Sequence, residues 1–194
     1  MSVEKDRSIN QISNWRDFAL GYIGATCVCA DAYLKRDPKD PGFPYEAVAF
    51  IPAFWNFKHA LELGIKSLFP FTKNKLWEHD LINNLEKYKE EKGLNDKECR
   101  ELKIMCEKYG KLEPLQKLDD VKSKNFIPPV DFENQFFHYP EGNKSHNIIY
   151  DANNNFAYYL FRTGNNEKIM HKLMEELKED AYSFAQILGK HIGI

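Results

Sequence analysis

The chain is predicted to fold as an all-α antiparallel bundle of about five helices, with a small β-hairpin or flap near 147–162. Three observations carry this. Apolar residues recur at three- and four-residue steps through five separate stretches, as one face of a helix requires. Proline and glycine punctuate the intervals, as in "KRDPKDPGFP" at 35–44, and mark loops. Long helices on short loops pack against their neighbours in opposite directions. No internal repeat or low-complexity linker interrupts the 194 residues, so 1–194 reads as one helical domain.

The first helix is expected from Ser8 to Leu34, with Trp15, Phe18, Ala19, Tyr22, Ile23, Thr26, Cys29 (or Ala30) and Tyr33 on its apolar side. Gly21 and Gly24 lie within it, small enough to admit a neighbouring helix. A second helix begins near Pro52, which has no amide hydrogen to lose in a first turn. It runs to about Phe69 and is stopped by Pro70. A third is expected from Trp77–Asp80 to Gly93, carrying Leu81, Leu85 and Tyr88. The fourth follows "GLND": Asn95 is its N-cap and Glu98, three residues on, completes a variant capping box. Leu102, Met105, Cys106, Tyr109 and Leu112 form its stripe.

Residues 123–146 read as irregular. Ile148–Tyr150 and Phe156–Phe161, separated by "DANNN", suggest a hairpin, with helix the competing reading for 156–162. The last helix runs from Asn166 to about Lys190, with Ile169, Met170, Leu173, Leu177, Ala181, Phe184 and Leu188 on one face.

Composition excludes several classes. Hydrophobic residues are 43% and aromatics 14%, enough for a core and too apolar for disorder. The formal net charge is −2, so a protein that wraps a phosphate backbone chiefly by charge is not expected. The opening residues lack the apolar run of a secretory signal, and no apolar run approaches a membrane span. Cys27, Cys29, Cys99 and Cys106 do not have zinc-knuckle or redox spacing, and are expected as buried, reduced thiols. No phosphate-binding loop, dinucleotide fingerprint, nucleophile elbow or zincin helix is present. No cofactor or metal is therefore called for.

The chemistry-bearing positions lie mostly on the second helix. In "FKHALELGIKSLF" (57–69), Trp55, His59, Glu62 and Lys66 fall on one line beside the apolar stripe Phe54, Phe57, Leu61, Ile65 and Leu68. A carboxylate at such a seam needs a partner. The line is either an acid–base or ligand-orienting pair, His59 with Glu62, or a structural network. His79 and Asp80 open the third helix, where free amides favour anions; Asp80 as a local cap is the plainer reading. In "NQFFHYPEGNKSH", His138, Tyr139, Lys144 and His146 sit on a loop, able to stack a base or simply to cover the core. Glu167 and His171 are spaced as an i,i+4 pair.

His59-Ala60-Leu61-Glu62-Leu63-Gly64-Ile65-Lys66, His79-Asp80-Leu81 and Phe137-His138-Tyr139-Pro140 together resemble motifs of the HEPN superfamily of small helical bundles, over roughly 50–140. The resemblance implies a bacterial or mobile-element cytoplasmic protein of stress, toxin–antitoxin or antiviral (phage) defence. It also implies a likeness to proteins that dimerise along the bundle, with RNA, a nucleotide or a cognate protein as partner. Its catalytic members are metal-independent ribonucleases with an arginine followed four to six residues later by histidine. None of Arg7, Arg16, Arg36, Arg100 and Arg162 has that spacing, and His138 stands where the family commonly has arginine. The expectation is a non-catalytic interaction or nucleotide/RNA-binding protein with a polar seam of His59, Glu62, Lys66, His79, His138 and Tyr139. The alternatives are a divergent ribonuclease joining Arg162, His171 and His138 across a dimer cleft, and a purely structural partner subunit.

Overall fold

The computed structural model describes residues 2–37, 49–68, 85, 94–110 and 167–191. These contain four helices: α1 (Ser2–Leu34), α2 (Ile51–Leu68), α3 (Asp96–Gly110) and α4 (Glu167–Lys190). The described chain is helical, with no strand among the described residues. The helix expected near 77–93 lies outside them except at Leu85, which is helical and buried. The hairpin near 147–162 lies outside them altogether. α1 begins six residues before the expected Ser8, because its first turns run through a polar stretch with no apolar period to reveal them.

Charge pairs fix the directions of the helices. Asp31 meets Lys178 and, just past the end of α1, Arg36 meets Glu167, so α1 and α4 are antiparallel. Tyr33 packs on Phe50 while Tyr22 packs on Trp55 and His59, which sets α2 antiparallel to α1. Lys108 reaches Asp180 and Glu98 reaches Lys190, so α3 opposes α4. α1 and α3 thus run one way and α2 and α4 the other.

α2 is the central helix: none of its residues is fully exposed. A chain of aromatic rings runs through it, Tyr33–Phe50 at 5.4 Å, Phe50–Phe54 at 5.1 Å, Phe57–Tyr109 at 4.8 Å and Phe57–Phe184 at 6.3 Å between centroids. These separations are in the favourable range for ring pairs, and the chain ties all four helices together. On α4 the expected stripe is buried, Ile169 partly, and Met174 and Ile187 join it.

Two expectations for α1 are corrected. Ala19, Ile23, Thr26, Ala30 and Tyr33 are buried, whereas Phe18 is 63% exposed; it lies about 100° round the helix from Ala19, beyond the covered arc. Ala30 rather than Cys29 faces the core. Gly21 and Gly24 admit no neighbour, since nothing among the described residues lies within 4 Å of a Cβ placed at either. The close approach is at Gly64, where a Cβ would stand 2.3 Å from Cζ of Phe184.

Candidate functional site

The line of four on α2 divides into two i,i+4 pairs. Nearer the N-terminus, His59 lies 4.4 Å from Trp55 between ring centroids, tilted by 37°. Tyr22 of α1 meets both rings edge-on, at 5.9 Å from Trp55 and 5.3 Å from His59. All three residues are partly exposed, so this aromatic trio forms a rim of the α1–α2 seam that solvent reaches. Nearer the C-terminus, Lys66 Nζ donates to Glu62 Oε1 at 2.6 Å with both side chains under 10% exposed. The carboxylate anticipated beside His59 is therefore held in a buried ion pair by the ammonium one turn on. Periodicity indicated the line; it did not indicate where along it solvent stops.

Lys58, next to the line, is fully buried and engaged. Sequence reasoning passed over it, because lysine on a helix normally signals a solvated face. Of the other anticipated residues, His171 stands partly exposed on α4 with Nδ1 3.5 Å from Glu175. The expected Glu167–His171 pair is replaced: Glu167 instead meets Arg36 at 3.3 Å. Arg36 is itself laid over the Tyr33 ring, 3.6 Å from its centroid. His79, His138, Tyr139 and Arg162 lie outside the described residues.

Two polar clusters were not legible. At one end of the bundle the capping box forms as expected: Asn95 Oδ1 accepts from the Glu98 amide at 2.9 Å and Glu98 Oε2 accepts from the Asn95 amide at 3.3 Å. The same buried carboxylate also meets His191 Nε2 at 3.0 Å and Lys190 at 3.5 Å. Burial raises the Glu98 pKa, but the His191 and Asn95 hydrogen bonds and the nearby charges outweigh it and hold the carboxyl below its ordinary value. Between α3 and α4, Tyr109 Oη and Lys108 Nζ each donate to Asp180 Oδ2 at 2.7 Å.

Cys99 and Cys106 are buried as expected, while Cys27 and Cys29 are partly exposed. Burial pushes the pKa of both Cys27 and Cys29 up, away from the thiolate that reactivity needs. Among the described residues no group of three or more His, Cys, Asp or Glu is placed to hold a metal ion, and no helix is long and apolar enough to cross a membrane. No family model, curated protein or solved structure matches the chain.

Proposed function

We propose that this chain is a HEPN-like, non-catalytic component of a bacterial stress, toxin–antitoxin or phage-defence system, and that it binds an RNA or nucleotide base on the Tyr22–Trp55–His59 rim. The observation that carries the binding reading is the trio's partial exposure: stacking on aromatic side chains suits any base and does not need a strongly basic protein. The buried Glu62–Lys66 pair supports the site as a packing element. The HEPN reading rests on the motifs of α2 and the segments that follow it.

Titration with ATP and with a short oligouridylate, followed by tryptophan fluorescence, tests this. Saturable quenching that is lost in Trp55→Phe and weakened in His59→Ala is the expected result; an unchanged signal up to millimolar ligand removes the binding reading. A metal-independent endoribonuclease is the second reading, favoured by the accessibility of His171 on α4. Histidine would take a ribose 2′-hydroxyl proton and arginine would stabilise phosphorane charge. Total RNA left intact at high protein excess, with and without EDTA, would sink it.

A further inference from the structure

We infer that the ligand of the rim is a neutral purine, adenine or adenosine, bound without help from phosphate. This deepens the binding reading above and rests on it. In a chain that is 29% charged, the thirteen residues Phe18–Ala30 of α1 carry no charge. α2 has three charged residues, Lys58, Glu62 and Lys66, and all three are buried. Of these, Lys66 and Glu62 neutralise each other at 2.6 Å. Pro52, Asn56 and Leu63, partly exposed on α2 beside the rim, are uncharged. Arg16, just before the uncharged stretch, lies about 120° round α1 from Tyr22. Proteins hold nucleotide phosphates and nucleic-acid strands chiefly through Lys and Arg. Among the described residues of the rim and its flanks, neither is present at the surface. A phosphate on the ligand therefore stays in water and adds nothing to affinity.

Ring surface and hydrogen-bonding capacity select the purine. Phe18 stands one turn before Tyr22 and within about 40° of it round α1. It is 63% exposed, so it extends the Tyr22–Trp55–His59 rim with a fourth ring. That breadth favours the fused rings of a purine, since stacking strength sets base preference on such platforms. Asn56 follows Trp55 directly and lies about 60° from His59 round α2. It is partly exposed, and its amide makes no hydrogen bond to a described residue. An asparagine amide matches the adjacent acceptor and donor of adenine, N7 and the N6 amino group. Uracil offers no such purine edge. The rim thus supplies stacking, Asn56 supplies base choice, and neither calls on charge.

Tryptophan fluorescence of the full chain, titrated with adenosine, AMP, ATP and uridine, tests the inference. The titrations are run at about pH 8, where histidine is ordinarily uncharged, and in about 50 and 500 mM salt. Adenosine is expected to bind at least as tightly as AMP and ATP, with the same dissociation constant at both salt concentrations. Uridine is expected to bind more weakly. Asn56→Ala is expected to raise the adenosine dissociation constant about tenfold, toward that of uridine, with unchanged helical circular dichroism. Affinity that climbs with each added phosphate, or that falls as salt is added, overturns the inference. So does an Asn56→Ala protein that binds adenosine like the wild type. Each of those outcomes leaves the rim standing as a nucleotide site. Absence of quenching by all four ligands instead removes the rim reading, and the inference with it.

Discussion

Gly64 of α2 and Phe184 of α4 approach so closely that a single methyl at the glycine would lie 2.3 Å from Cζ and 2.8 Å from Cε1 of the ring. Phe184 is fully buried and also meets Phe57 edge-on, so it has little room to retreat. Gly64→Ala gains helix propensity, about 1 kcal/mol, but overpacking a close-packed core costs about 1–3 kcal/mol. A net loss of stability is expected in urea unfolding. Gly21→Ala, with open space around it, has only the gain and is expected to raise the melting temperature.

The buried Glu62–Lys66 pair gives a second expectation. Removing Lys66 takes the ammonium away from the buried Glu62 carboxylate, so Lys66→Ala is expected to destabilise, by up to about 3–5 kcal/mol. Replacing both residues by methionine keeps the volume and removes both desolvation costs, and is expected to fall close to wild type. A double-mutant cycle in denaturant measures the difference. A loss in the double variant equal to the sum of the losses in the two single variants would mean that the pair is not coupled.

What was legible in the sequence follows from the range of the interaction. The α4 stripe and the Asn95–Glu98 box depend on neighbours three and four residues away, and both stand in the structure. Periodicity placed Phe18 with Ala19 because it resolves a face only coarsely; how much of that face a neighbour covers is a tertiary matter. Gly64 was indistinguishable from any other helical glycine until Phe184, 120 positions later, was beside it. The Glu98–His191 contact joins residues 93 apart, and no local pattern announces it. For the candidate site, spacing found the line of Trp55, His59, Glu62 and Lys66 but not its division.

Acid should loosen the end of the bundle where Glu98 sits. Its carboxyl is held below the ordinary value of 4.5. A depressed carboxyl contributes stability that is fully present above the unfolded value and is lost as pH falls through the folded one. The stability curve is therefore expected to decline as pH drops below about 4.5, continuing until the folded pKa is passed. His191→Ala removes a hydrogen bond to the carboxylate, so the Glu98 pKa moves upward. The variant is expected to be less stable at neutral pH and to show a shallower acid decline. Urea midpoints between pH 3 and 7 check this, and an equally steep decline in the variant would remove Glu98 as its source.

Tyr109 governs the alkaline side. Burial, then the neighbouring Asp180 charge and the hydrogen bond to it, push the phenol well above its ordinary value of 10.0. A raised folded pKa contributes stability that is present below the unfolded value and lost as pH rises toward the folded one. Unfolding is therefore expected to become easier above about pH 10. The phenolate absorbance of one tyrosine among the ten should appear only with the unfolding transition. Tyr109→Phe keeps the ring contacts with Phe54 and Phe57 and removes the hydroxyl. Asp180 retains Lys108 at 2.7 Å, so the loss is expected at the low end for a hydrogen bond to a charged group, about 1.5 kcal/mol. The alkaline decline should flatten in the same variant. A Tyr109→Phe protein that still destabilises as steeply above pH 10 would place the alkaline sensitivity elsewhere in the chain.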